Sequence, residues 1–412
     1  ISVALENGMD TLAYRAQPDT LESGAAFDAS LFLTARTPLD RIYRPKFILL
    51  DQSGLTWNVN PDEALPPRWH REPPDTRLWP VGEYAEFARR LQLLPGTPPG
   101  EYQLFVTIFD LETLIPVRSL AASETGLIRL GNIRVMQPTR APNVESLDRQ
   151  YAPDAALGNG MTLVGFNIDR PAAQPGEQML ATLFLRADRD APDAGPLTLA
   201  LDGTNFQVQV EPTTGYPASE WRAGDIWRGQ HLLRLPADVP AGDYDWTVAA
   251  AGKSVSLTTL AVSVPTRVFT RPEVQQTSDV EFGSGVALAG FSITPEPVPA
   301  GGTLEVTLVW AARTPIADDL RAFVHVLSPD GALVAQSDGV PANWTRPTPG
   351  WLPGEFVTDA HAVALPDDLP AGEYSVLVGF SIAGTGARVP AVGSGAQPDG
   401  RARIGALEVR LP

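Results

Sequence analysis

WLPGEFVTDAHAVALPDDLPAGEY, residues 351–374, is the stretch whose reading decides the fold, because its pattern occurs three times in the 412-residue chain. Trp351, Gly354 and Glu355 lead to Pro370, Gly372, Glu373 and Tyr374. Trp79, Gly82 and Glu83 lead likewise to Pro99, Gly100, Glu101 and Tyr102, and Trp221, Gly224 and Asp225 to Pro240, Gly242, Asp243 and Tyr244. Trp and Tyr stand 23 residues apart in every copy. Each box reads as strand, corner, strand. Phe356, Val357, Ala360, Ala362, Ala364 and Leu365 form a partly alternating apolar run, the pattern of a half-buried strand. Pro366–Gly372 then supplies residues that fix φ or permit positive φ. Beyond the turn Tyr374, Val376, Val378 and Phe380 alternate with Ser375, Leu377 and Gly379.

A Tyr at the head of a strand, just after a Pro/Gly corner, resembles the tyrosine corner of immunoglobulin-like and fibronectin-like sandwiches, whose phenol bonds back to upstream backbone. Trp79, Tyr102, Trp221, Tyr244, Trp351 and Tyr374 are accordingly read as structural corner residues. The first halves repeat as well. Gly8, Gly160 and Gly285 precede apolar segments at Leu12–Tyr14, Leu163–Phe166 and Leu288–Phe291, and Gly24, Gly176 and Gly301 follow 16 residues after those first glycines. From Leu33, Leu185 or Trp310 to the box Trp is a step of 46, 36 or 41 positions, so length varies only in mid-module. Variable loops on a constant scaffold are where sandwiches carry binding function. The reading is all-β: three tandem immunoglobulin/fibronectin-like β-sandwiches in an elongated arrangement. Module one is 1–137, module two 154–265 and module three 280–412, with linkers 138–153 and 266–279 read as extended, semi-rigid connectors. Both junctions carry Pro-Thr-Arg, at Pro138–Arg140 and Pro265–Arg267. Tyr84–Leu94 has some helical character but occupies the strand slot of the other copies, so it is read as β.

Composition narrows the function classes. Thirty-six glycines and 40 prolines with 43% hydrophobic residues describe ordered, turn-rich β structure. A net charge of −17 repels phosphate backbones and anionic lipid surfaces. Absence of cysteine excludes disulfides, thiolate catalysis and Cys-ligated metal. No apolar run approaches the ~18–20 residues of a membrane span, so no direct membrane insertion is expected. The chain begins at Ile1 rather than Met, which is read as weak support for a processed or truncated, exported product.

In the third copy, Phe323–Leu327, Asp330-Gly331, Ala335–Gly339, Pro341, the Trp351–Glu355 box and Tyr374 form an ordered series. It resembles an immunoglobulin-like β-sandwich repeat module of bacterial cell-surface proteins. It also resembles the soluble extracytoplasmic tails of dolichyl-phosphate-mannose-type membrane glycosyltransferases. The resemblance covers module three well, module one in its box, and module two loosely, since module two lacks the Phe-Val-His-Val strand. It implies an exported accessory or surface domain and transfers no catalytic residue.

No HExxH, GxSxG, phosphate-binding loop or dinucleotide fingerprint occurs. Of four histidines, His325 and His361 fall near Asp338 and Asp359 in module three, and the four form a divalent-metal set if they converge. The competing reading is a satisfied His325, with Asp359 and His361 on a solvated strand face. Asp51, Asp202 and Asp330 read as turn caps rather than calcium ligands. Loop aromatics Trp57, Trp69, Tyr216 and Trp344 are the ligand-binding candidates, since exposed aromatic rings stack on sugar faces. Asn343-Trp344-Thr345 is a formal glycosylation sequon. The expectation is a non-catalytic extracytoplasmic array, at the cell surface or on the periplasmic side. It mediates protein–protein contacts or self-association, with no cofactor and no nucleic acid. The alternative is a carbohydrate-binding accessory domain that uses the loop aromatics, attached to a membrane glycosyltransferase.

Overall fold

Each box folds around its glycine. In the computed structural model, which describes residues 2–59, 75–120, 126–193, 195–283 and 285–410, Gly82, Gly224 and Gly354 have φ of 83°, 88° and 85°. Their N–H groups donate to Ala35, Ala187 and Ala312 carbonyls at 2.9, 2.8 and 2.7 Å. A side chain is strained at that φ, so glycine is needed where the turn meets the neighbouring strand. One 3-10 turn precedes each box Trp: Thr76–Leu78, Ala218–Glu220 and Thr348–Gly350. The Trp N–H closes it at 3.1 Å in all three copies, and all three indoles are buried. At the other end of the box, the Tyr102, Tyr244 and Tyr374 hydroxyls donate to Pro98, Pro240 and Pro370 carbonyls at 2.8, 3.2 and 2.9 Å.

The chain is all-β. The first repeat contributes β1 (Met9–Gln17), β2 (Ala26–Ala35), β3 (Tyr43–Leu50), β4 (Tyr84–Leu93), β5 (Gly100–Asp110) and β6 (Leu127–Met136). Strands β1-β2-β4 lie in one sheet and β6-β5-β3 in another. The second contributes β7 (Met161–Ile168), β8 (Gln178–Ala187), β9 (Leu197–Leu201), β10 (Gln207–Val210), β11 (Ile226–Arg234), β12 (Gly242–Ala250) and β13 (Lys253–Val262), ordered β7-β8-β11 and β13-β12-β9-β10. The third contributes β14 (Val286–Thr294), β15 (Thr303–Ala312), β16 (Leu320–Leu327), β17 (Leu333–Gly339), β18 (Phe356–Ala364), β19 (Gly372–Ile382) and β20 (Ala402–Arg410), ordered β18-β15-β14 and β20-β19-β16-β17. Three large apolar cores form, each from the two sheets of one repeat. Tyr84–Leu93 is a strand, as its slot in the repeat demands.

The box strand β18 corrects one detail of the sequence reading. Val357, Asp359, His361 and Val363 face inward, while Ala360, Ala362 and Ala364 are exposed. Period-2 geometry fixes two faces but does not say which is buried, and here two polar residues go in because partners await them.

The segments read as linkers lie against the next repeat as straps. Val144 and Leu147 pack on Val164, Phe184 and Ile226, while Val274 packs with Phe356 on Ala287, Ala289, Val309 and Ala311. Gln150 and Gln275 both accept from β-strand N–H groups, Ile168 at 2.8 Å and Ile293 at 3.1 Å. Gly290 lets the strap pass, since a Cβ there would meet the Gln276 carbonyl at 2.5 Å. The box acid of the next repeat is also engaged at each junction, by the residue before the first strap and by the second strap itself. The Gln137 amide donates to Asp225 at 2.7 Å. Arg267 and Arg346 donate to opposite oxygens of Glu355, at 2.7 and 2.6 Å, and Glu355 is 0% exposed.

Further contacts join successive repeats directly. The Arg228 N–H on edge strand β11 donates to the Gly96 carbonyl at 2.7 Å, its Nε to Pro95 at 3.1 Å, and Gln230 to Thr56 at 3.1 Å. Arg234 clasps Asp319 with two bonds of 2.8 and 2.5 Å. Gly176 and Gly350 meet backbone to backbone, where a Cβ on Gly350 would lie 2.0 Å from the Pro175 carbonyl.

Candidate functional site

The four residues read as a metal set do not converge. His325 sits on β16 and Asp338 opposite Phe323 on β17, on the outer face of that sheet, whereas Asp359 and His361 face inward on β18. Among the described residues no group of three or more His, Asp or Glu side chains is placed to hold a metal ion. His325 stacks on Phe323 with ring centroids 4.4 Å apart, and burial, with help from Arg388 and Arg401, lowers its pKa to about 4. Nor do Asp359 and His361 form a solvated strand face: they are 2% and 6% exposed.

These two residues anchor a polar network where the edge strands β17 and β18 approach. Asp359 Oδ2 accepts from Trp310 Nε1 and from His361 Nε2, both at 3.0 Å, and Oδ1 accepts from the Ala342 N–H at 2.8 Å. With Nε2 donating, Nδ1 is left to accept from the Ser337 hydroxyl at 3.0 Å. Serine, imidazole and carboxylate in series have the connectivity of a nucleophilic relay. Such a relay also needs a place for the reacting carbonyl about 3 Å from the serine. Here the imidazole and carboxylate are enclosed, and the chain of bonds ties one sheet edge to the other. Sequence reasoning missed Ser337, which lies outside the period-2 pairing of Asp359 with His361.

Above this network the backbone turns left-handed. Ala342, Asn343 and Trp344 have φ of 55°, 53° and 66°. For residues with a Cβ this costs about 1–2 kcal/mol each. The turn is held by Ala342 N–H on Asp359, Trp344 N–H on Val340 at 2.9 Å and Arg346 N–H on Pro341 at 3.0 Å. Strain held this firmly is a feature of ligand sites. The turn places Trp344, 59% exposed, beside Gly339, with the Arg321 guanidinium 5.5 Å from the ring centroid. Arg321 and Asn343 are exposed.

The other aromatic candidates are placed differently. Trp57 is 2% exposed, donates to Asp51 at 2.8 Å and stands edge-on to Tyr102 at 5.7 Å, so it packs the corner and offers no stacking face. Tyr216 is 7% exposed, bonds to the Glu220 carbonyl at 3.0 Å, and lines a cleft of about 420 Å³ between the first two repeats, with Pro99, Arg134 and Met136. Trp69 lies outside the described residues. Asp51 and Asp202 cap their own turns, and Asp330 accepts from Ser328.

No protein-family model matches the sequence, and no curated protein matches it. Among solved structures, the C-terminal domain of wzt aligns at 15% identity with a TM-score of 0.26, over 34% of this chain and 83% of that one. A protein from Corynebacterium diphtheriae described as membrane anchored aligns at 12% identity with a TM-score of 0.16, over 100% of this chain and 95% of that one. At these scores neither likeness bears on fold or role. No helix among the described residues is long and apolar enough to cross a membrane.

Proposed function

We propose that the chain is a non-catalytic, extracytoplasmic array of three immunoglobulin-like sandwiches that mediates protein–protein contacts in a cell-surface or membrane-associated assembly. The observation that carries this reading is the junction between repeats. Buried charge, glycine-to-glycine backbone contact and straps are all spent on fixing one repeat against the next. A fixed array presents its surfaces at defined spacings, as a scaffold or spacer must. The tyrosine corners support the immunoglobulin-like assignment, since the phenol bonds four residues upstream in every copy. The test is the mass and composition of native material purified from its source, with crosslinks mapped by mass spectrometry. Stoichiometric partners or self-association support the reading, and a lone monomer with no crosslinked neighbour overturns it.

A second reading is favoured by Trp344 alone. An indole 59% exposed on a strained, well-held turn is built like a carbohydrate-stacking platform. Oligosaccharide binding that disappears in Trp344→Ala supports it, and binding that survives the substitution refutes it.

A further inference from the structure

The third repeat carries an arginine whose placement beside that platform sharpens the chemistry of the ligand, granted the carbohydrate reading of Trp344. Arg321 lies on β16, exposed, with its guanidinium 5.5 Å from the Trp344 ring centroid. It makes no ion pair among the described residues, whereas Arg346, only two residues from Trp344, is taken up by Glu355. A guanidinium without an ion-pair partner, placed over one face of an indole that is 59% exposed, combines two recognition elements. The ring offers its face to the CH groups of a pyranose. The guanidinium offers a rigid fork of donors that matches a carboxylate with two parallel bonds.

We propose that Trp344 and Arg321 together form a subsite for a carboxylate-bearing sugar, a uronic-acid residue of an acidic glycan. The sugar ring stacks on the indole while its carboxylate takes the Arg321 fork, and the exposed Asn343 amide stands on the same turn. The left-handed turn holds the backbone that carries the indole before the ligand arrives, so little backbone freedom is lost on binding. The chain's net charge of −17 opposes long polyanions, so the subsite suits short acidic segments, and its affinity weakens only moderately with salt.

The test compares a panel of short oligouronates of differing stereochemistry with their fully methyl-esterified forms. Calorimetry on the full chain reads the affinity, and the Trp344 indole N–H resonance reads the location. The free acid is expected to bind about tenfold tighter than the ester. Arg321→Gln brings the two together, Arg321→Lys restores part of the difference, and Trp344→Ala removes binding of both. Equal affinity for acid and ester in the unsubstituted protein overturns the carboxylate subsite while leaving a neutral-glycan reading of Trp344 standing. Binding of neither form, with neutral oligosaccharides also silent, overturns both. Both side chains are on the surface, and an unchanged urea transition confirms that the variants fold.

Discussion

Replacing Glu355 with alanine probes the joint between the second strap and the third repeat. The carboxylate is 0% exposed and lies between two guanidiniums, each 12% exposed. It also accepts the Leu352 N–H at 2.9 Å. Removing one member of a buried ion pair costs about 3–5 kcal/mol, because the remaining charge keeps its desolvation penalty. Here two cations lose their partner. Arg267 keeps its bonds to the Gly350 and Ala237 carbonyls at 3.1 and 2.6 Å, which places the expected loss near the lower end, about 3 kcal/mol. Glu355→Gln keeps one acceptor oxygen and costs about 1–3 kcal/mol. The chain contains its own control: Glu83 holds the same box position in the first repeat but is exposed, so Glu83→Ala shifts stability by no more than about 0.5 kcal/mol. Urea unfolding gives the magnitudes. Hydrogen exchange gives the location, since the Phe356 N–H that donates to Val268 at 2.7 Å must lose protection when the strap loosens. A Glu355→Ala loss below about 1 kcal/mol, or one equal to that of Glu83→Ala, refutes the claim that the box acid secures the strap.

Asp359→Ala strands two buried donors, from Trp310 and His361, and the half-buried Ala342 N–H, and is expected to cost about 3–5 kcal/mol, with exchange protection lost first at Ala342. The His231 imidazole is buried and its pKa is pushed down to about 4 from 6.5. The unfolded chain therefore binds the proton more tightly, and stability falls by about 3 kcal/mol as pH drops from 6.5 to 4. Denaturation in His231→Gln across that window should show the slope reduced, the share from His325, whose pKa is also lowered to about 4, remaining, and an unchanged slope contradicts it. Tyr102→Phe, which loses a buried 2.8 Å bond, should cost about 1 kcal/mol, and Tyr244→Phe, with an exposed 3.2 Å bond, clearly less. Gly350→Ala places a Cβ on the Pro175 carbonyl and should raise exchange at the junction of repeats two and three while leaving the third core protected.

The box made the repeat and its strands legible because Trp, Gly, Pro and Tyr each answer a local backbone requirement visible in one copy and confirmed by the next. Gly354 needs positive φ and Tyr374 needs a carbonyl four residues back, and both demands are local. What resisted reading depends on contacts distant in sequence. Asp359 and His361 looked like a solvent face because charge normally implies water, but Trp310, 49 residues earlier, supplies the donor that draws Asp359 inside. Val144, Val274 and Arg267 looked like linker residues because their partners belong to the repeat that follows. Trp57 shared its loop-aromatic appearance with Trp344, and only Tyr102 beside the one and the left-handed turn beneath the other separate them. Arg321 carried no signal at all, since a lone arginine on a strand acquires meaning only from the indole across from it.

The straps hold successive repeats in fixed relation, and the absence of native cysteine allows this to be measured cleanly. Paired spin labels on introduced cysteines, one on an exposed strand position of the second repeat and one of the third, report the distance distribution by pulsed electron resonance. A single narrow distribution that broadens in Glu355→Ala is the predicted result. A distribution already as broad as that of a flexibly tethered pair in the unsubstituted chain would contradict the account.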